Sequence, residues 1–251
     1  MIILYILLFF LYGLIFGSFF NVVGLRVPKG ESIVKPPSHC TVCERNLTIL
    51  DLVPVFSYLF LKGKCRGCGT KIHWMYPVME LTTGVFFAFA FVQLGFSKEL
   101  IVAILFISLL VIITVSDIAY MLIPDKILLF FVIPLIAMRI LSPLTPWWDS
   151  ILGAVTGFGL LFLIAVLSKG GMGGGDIKLF FVIGIVLGVT ETVVTLFLAS
   201  FIGAVVGVIL LKKAKKGRKT PIPFGPSIAV AAIISYFFGK MLVDWYVNLF
   251  F

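Results

Sequence analysis

The sequence predicts an all-α polytopic membrane protein of about eight transmembrane helices, with a small four-cysteine segment between the first two. Three observations carry that prediction. Of the 251 residues, 61% are hydrophobic and only 12% charged, where soluble domains run at roughly 45–50% and about 25%. Eight apolar runs are bounded by charge, Pro or Gly, and all four cysteines fall in one polar stretch. A single soluble core of this size cannot hide so much apolar surface, so the bulk of the chain belongs in a bilayer. That excludes a secreted or cytosolic globular enzyme, a coiled coil and a disordered tail.

A bilayer-crossing helix needs about 20 mostly apolar residues. Candidate spans lie at 2–25, 76–96, 99–117, 126–141, 150–168, 177–190, 191–211 and 226–247. The fourth and sixth are short, and only Thr190 and Glu191 divide the sixth from the seventh. The first span does not read as a cleavable signal peptide. It lacks a basic start, it is too long, and no Ala-x-Ala site follows. The first cation after it is Arg26, which predicts an outside N-terminus. The expected organisation is a first transmembrane helix over 1–25, a polar segment over 26–75 and a membrane core over 76–251.

Basic residues orient the rest. Eight Lys/Arg lie in 26–74 and six in 212–219, fourteen of the twenty in the chain. Six spans separate these loops, which puts both on one side, the cytoplasm by the positive-inside rule. The net charge of +9 thus serves orientation and attraction to anionic membrane lipids. Nucleic acid is not an expected partner, because no basic helix or aromatic-basic platform appears. The same count places loops 117–125 and 168–176 together at the cytoplasmic face.

The cysteines form two pairs, Cys40-x-x-Cys43 and Cys65-x-x-Cys68, with 21 residues between them. A two-residue gap lets both thiolates of a pair reach one ion, and two such knuckles complete a tetrahedral site. In the reducing cytosol disulfides rarely persist, so zinc is preferred over two disulfides. Four protein ligands leave no position for water, which makes the site structural. A segment without a core of its own gains folding energy from such an ion. His39 and His73 flank the cluster and read as exposed loop residues, although either could replace a ligand. Two His in all, and no H-E-x-x-H pattern, leave little basis for a His-based metalloenzyme or a catalytic triad.

Carboxylates near the membrane are functional candidates by default. Asp51 lies in the polar segment, while Asp149 and Asp244 read as interfacial. Asp125 follows Pro124 and fits ordinary helix-start chemistry. Asp117 closes an apolar run with no cation beside it, and Asp176 ends the run Gly170-Gly171-Met172-Gly173-Gly174-Gly175-Asp176. Five glycines disfavour helix there and let backbone approach closely. The plainer alternative is a turn with Asp176 as N-cap of the sixth span. The run does not fit G-x-G-x-x-G, and no strand precedes it. Asp117 and Asp125, eight residues apart, would sit about 12 Å apart on one helix. Asp117 and Asp176 come from different spans and can meet. Two carboxylates about 3 Å apart cannot both ionise. The protonated one can polarise a peptide carbonyl while the other activates water. Gly17, Asn21 and Gly24 recur at i, i+4 and i+7, a face suited to close helix packing with Asn21 bonding across it.

These residues resemble the bacterial type IV prepilin peptidases, bifunctional membrane aspartic proteases, over nearly the whole chain. The resemblance runs through Gly17-Ser18-Phe19-Phe20-Asn21, Arg26-Val27-Pro28, Ser38-His39-Cys40-Thr41-Val42-Cys43 and Asp51-Leu52-Val53-Pro54-Val55. It continues through Gly63-Lys64-Cys65-Arg66-Gly67-Cys68, Tyr76-Pro77-Val78-Met79-Glu80 and Asp117 with Leu122-Ile123-Pro124-Asp125, and ends in Gly173-Gly174-Gly175-Asp176-Ile177-Lys178. The resemblance implies Asp117 and Asp176 as the catalytic pair, with Gly173, Gly174, Gly175 and Lys178 in a substrate loop. It implies precursors of type IV pilins and pseudopilins as substrates, cut at the cytoplasmic face of the inner membrane between a short basic leader and an apolar helix. It also implies N-methylation of the new terminus with S-adenosylmethionine. Ala119 stands where many relatives carry a second acid. No methyl-donor pocket is legible. Glu80 reads either as a helix-start acid or as a participant in methylation at the membrane boundary. A transporter or channel with intramembrane acids, and a zinc-ribbon assembly factor without catalysis, are the rival classes.

Overall fold

The computed structural model describes residues 1–168, 171–214 and 223–250. Gly170 and the basic positions Lys215, Lys216, Arg218 and Lys219 lie outside the described residues, as does the Lys213 side chain. The described chain is helical: α1 (Ile2–Arg26), α2 (Phe56–Phe60), α3 (Met75–Leu94), α4 (Lys98–Tyr120), α5 (Asp125–Leu141), α6 (Asp149–Leu167), α7 (Gly174–Leu187), α8 (Val189–Ala214) and α9 (Gly225–Phe250). All except α2 correspond to expected spans. Among the described residues, six helices are long and apolar enough to cross a membrane: α1, α3, α4, α6, α8 and α9. The chain is a multi-pass membrane protein. Two compact units divide it, Met1–Ser116 and Asp117–Phe251.

In the first unit α1 packs antiparallel on α3 along a seam of small residues. A Cβ on Gly13 would meet the Gly84 Cα at 2.6 Å, and one on Gly17 the Glu80 Cα at 2.8 Å. One turn further, the Asn21 amide donates to the Tyr76 carbonyl at 3.1 Å. In the membrane, where lipid competes equally for apolar surface, such close backbone approach supplies the packing energy. Ile3, Leu7, Leu11 and Ile15 of α1 remain exposed, as a lipid-facing stripe requires. Between α1 and α3 the chain forms turns, two cysteine knuckles, two short 3-10 helices (Val27–Lys29 and Ile49–Asp51) and the short α-helix α2.

In the second unit α7 is the buried centre. It has 14 residues, about 21 Å at 1.5 Å per residue, short of the roughly 30 Å hydrocarbon core. Leu179, Phe180, Val182, Ile183 and Val186 are at most 1% exposed, so neighbouring protein surrounds it. Its seam with α6 repeats the small-residue device: a Cβ on Gly157 would meet the Phe180 carbonyl oxygen at 2.4 Å, and one on Gly184 the Gly153 oxygen at 2.1 Å. Gly184→Val is expected to force these helices apart and cost about 1–3 kcal/mol or more. A lowered thermal unfolding midpoint in detergent would register it.

Two of the boundaries that differ from expectation have a physical cause. The break between the sixth and seventh spans falls at Gly188, not at Thr190–Glu191. Gly188 adopts φ +83°, a conformation open to glycine, and Asp149 accepts the following Val189 N–H at 3.1 Å. Asp149 therefore caps α8 and is more than an interfacial charge. The sixth span also starts earlier than expected, at Gly174, so the last two glycines of the run are helical. Gly173 occupies the N-cap with extended backbone, and Asp176 sits inside the first turn instead of capping it.

Candidate active site and metal centre

The two cysteine pairs fold as matching knuckles. In the first, Cys40 N–H donates to the Arg45 carbonyl, and Glu44 N–H returns to that of Cys40. In the second, Cys65 N–H donates to Thr70, and Gly69 N–H returns to Cys65. Isolated bridges His39–Asn46 and Lys64–Lys71 close each knuckle one residue before its first cysteine. All four sulfurs lie within 4.8 Å of one another. Cys40 and Cys68 are 3.8 Å apart, and Cys43 and Cys65 are 4.0 Å apart. A tetrahedral ion with metal–sulfur bonds of about 2.3 Å separates its sulfurs by about 3.8 Å, so the cluster can hold a metal ion. Thr70, through its hydroxyl and then its N–H, holds the Cys68 thiol down to about 6, toward the thiolate a metal ligand must be. Both histidines lie outside this cluster. His39 Nδ1 is 3.0 Å from the Pro37 carbonyl, and His73 Nδ1 accepts the Met75 N–H at the start of α3.

Asp51 is the strut between the knuckles, a role the sequence did not disclose. Its carboxylate pairs with Arg45 beside the first knuckle and with Arg66 in the second, the latter at 3.0 Å. It also accepts the Thr48 N–H and hydroxyl at 3.1 and 2.8 Å. The available signal was Thr48-x-x-Asp51, a capping-box spacing. The Thr48 N–H, more than the two guanidiniums, holds the Asp51 carboxyl below its ordinary value. Asp51→Asn is expected to weaken metal retention ~10–100-fold, as loss of groups supporting a ligand shell does. A depressed carboxyl contributes fully above its unfolded value of about 3.9 and loses that contribution only as pH falls below it. The advantage of wild type over Asp51→Asn in chelator competition should therefore be equal at pH 6 and pH 8.

The carboxylates of the second unit are brought together by three helices. Asp117 lies in the last turn of α4 and is buried. Its Oδ2 accepts the Gly225 N–H at 2.7 Å, at the start of α9. A Cβ on Gly225 would lie 2.8 Å from that same oxygen, so no larger residue fits there undisturbed. Gly225 was not anticipated, although Gly225-Pro226 after an apolar Phe224 marks a helix start. After α4 the chain turns through Met121, at φ +54°, and buries Ile123. Ile123 is the contact that excludes a side chain at Gly175, where a Cβ would come within 2.7 Å. The glycine run thereby brings the first turn of α7 against the α4–α5 turn. Asp176 is half-buried, with its Oδ2 3.1 Å from where a Gly173 Cβ would stand. The charge of Asp117 acts on its carboxyl. Lys178, two residues on, is not directed at either acid: its Nζ pairs with Asp125 at 2.7 Å. Asp125 begins α5 after Pro124 as expected, and the pair is exposed, which limits its energetic worth.

Residues 11–94 match the Bacterial Peptidase A24 N-terminal domain and residues 104–208 match the Type IV leader peptidase family. A prepilin leader peptidase/N-methyltransferase of Bacillus subtilis (strain 168) is 45% identical, covering 96% of this chain and 97% of its own. Enzymes of the same description from Aeromonas salmonicida (strain A449) and Neisseria gonorrhoeae are 31% and 32% identical, over 98% and 89% of this chain and 94% and 87% of their own. No solved structure matches. Paired A24 and leader-peptidase regions in order along the chain, together with full-length likeness to these enzymes, show that the chain belongs to the type IV leader peptidase family.

Proposed function

We propose that the protein removes the leader from type IV prepilins and pseudopilins and then methylates the exposed terminal amine, with Asp117 and Asp176 as the acids that carry the cleavage. The observation that supports the acid pair is that α4 and α7 bring both carboxyls within electrostatic reach, with no cation among the described residues acting on either. Two acids in that setting share a proton. The protonated carboxyl donates to the scissile carbonyl, and the ionised one takes a proton from water as it attacks. The tetrahedral intermediate collapses when the departing amine receives a proton. Gly225 N–H engages one Asp117 oxygen and so orients the other. Gly173 at the N-cap of α7, with Gly174 and Gly175 in its first turn, offers close-approach backbone beside an extended substrate.

The sulfur geometry favours zinc at Cys40, Cys43, Cys65 and Cys68. It would be a structural ion. S-Adenosylmethionine is the methyl donor and is consumed as a co-substrate. The distribution of basic residues favours the inner membrane with the N-terminus outside and the cysteine segment and both acids on the cytoplasmic side. Anionic lipids are then its membrane partners.

Purified protein mixed with a synthetic precursor, with and without S-adenosylmethionine, tests the whole reading in one mass spectrum. The expected products are a shortened peptide and, with donor, the same peptide heavier by one methyl group. An intact precursor under both conditions would reject the reading. Gly225→Ala is expected to displace the Asp117 carboxylate and slow cleavage on the order of 10²-fold, as misplacement of a reacting group by about 1 Å does. Rates from the same assay, at unchanged protein yield, give the check.

A further inference from the structure

The α1–α3 seam buries a carboxyl group that the proposed cleavage chemistry does not use. Glu80, in the second turn of α3, is 8% exposed. The groups acting on its carboxylate are two neutral donors: the Val55 N–H at 2.7 Å and the Ser18 hydroxyl. No cationic side chain of the described residues is among them. A carboxylate offers about four acceptor sites, and burying its charge without a counter-ion is costly. On the same seam Asn21, 1% exposed, spends its amide N–H on Tyr76, and its Oδ1 has no hydrogen-bond partner among the described residues. Tyr76 precedes Glu80 by one turn of α3, and Gly17, one turn before Asn21, packs on the Glu80 Cα. A buried carboxyl group and a buried orphan acceptor thus lie within one turn of each other on the paired helices. Both lie beside the polar segment: Glu80 is about 8 Å from the start of α3, and Asn21 is bonded to its second residue.

We propose that Ser18, Asn21 and Glu80 form a binding site for a primary ammonium group. Two acceptors, one of them charged, suit the three N–H donors and compact charge of an ammonium. They are too few for Mg²⁺ or Ca²⁺, which take six or more oxygens. The inference rests on the methyltransferase reading, because that reaction brings two such groups to the protein: the terminal amine freed by cleavage and the α-amino group of the methyl donor. Val55, whose φ of +62° is unusual for a β-branched residue, is held by the same carboxylate. The polar segment is therefore tied to this site.

The test measures binding to the full chain in detergent. The probes are a pre-cleaved peptide with a free terminus, the same peptide N-acetylated, S-adenosylmethionine, and its deaminated analogue. Wild type is expected to prefer the amine-bearing member of one pair at least about tenfold. Preference in the peptide pair assigns the site to the freed terminus, and preference in the donor pair assigns it to the methyl donor. Glu80→Gln keeps an acceptor for Val55 and Ser18 but lacks the charge, and it is expected to abolish that preference at unchanged metal content. Equal affinities within both pairs in wild type would overturn the proposal. So would a Glu80→Gln variant that kept the preference, or one that weakened amine and blocked ligand alike, as a merely structural residue would. Should wild type transfer no methyl group, the methyltransferase reading falls, while the binding comparison still decides this one.

Discussion

Asp117→Asn and Asp176→Asn are each expected to reduce prepilin cleavage by roughly 10²–10⁴-fold or more, the contribution of general acid–base catalysis, without loss of the folded membrane protein. Amide isosteres keep the shape of both sites, and an amide oxygen in place of the Asp117 carboxylate would still accept the Gly225 N–H. Neither amide can take a proton from water or share one with its neighbour. Because the pair acts as a unit, the double variant should be no slower than the slower single one. Initial cleavage rates on a synthetic precursor, read beside thermal unfolding curves, give both comparisons. Normal processing by either single variant would exclude the aspartyl mechanism.

The second large effect is at the metal. Cys40→Ser, or exhaustive chelation, is expected to take the bound ion from one per chain toward none and to expose the segment between the knuckles to proteolysis. The segment has little else to hold it. Ile49 and Phe60 are 85% and 84% exposed, and among its described residues Cys65 is the one buried apolar side chain. A structural zinc site supplies about 10–16 kcal/mol in small metal-folded peptides, comparable to the whole stability of an ordinary domain. Methylation should fall with the metal, since Val55 and Glu80 join this segment to α3. Metal analysis by mass spectrometry and limited proteolysis would show it. Full metal content with full methylation in Cys40→Ser would refute the role assigned to the cluster.

The membrane class, the eight helices, the cysteine cluster and both acids were legible from residue order, and each for a local reason. A span is a run of about 20 apolar residues. A knuckle is a two-residue gap between thiols. Asp117 and Asp176 stood out because charge is scarce where they lie. Gly17 and Asn21 were legible as a packing face through their helical spacing, whereas Gly13 was not singled out, having no polar residue to mark it.

Partnerships across the fold were not legible, because they join residues that no spacing rule relates. Gly225 reaches Asp117 from 108 residues away. Asp51 ties two knuckles through arginines that composition would count as loop charges. Lys178 stood in the glycine motif and turned to Asp125. Glu80 looked like a helix-start acid until the seam with α1 left it buried, with Ser18 and Val55 as its donors. Composition and periodicity are properties of one stretch of chain, and they sufficed for class, spans and candidate ligands. Which oxygen meets which N–H depends on how closely the backbones approach. In this protein that was settled where glycines of α1 and α3, and of α6 and α7, let helices come nearer than any side chain would allow.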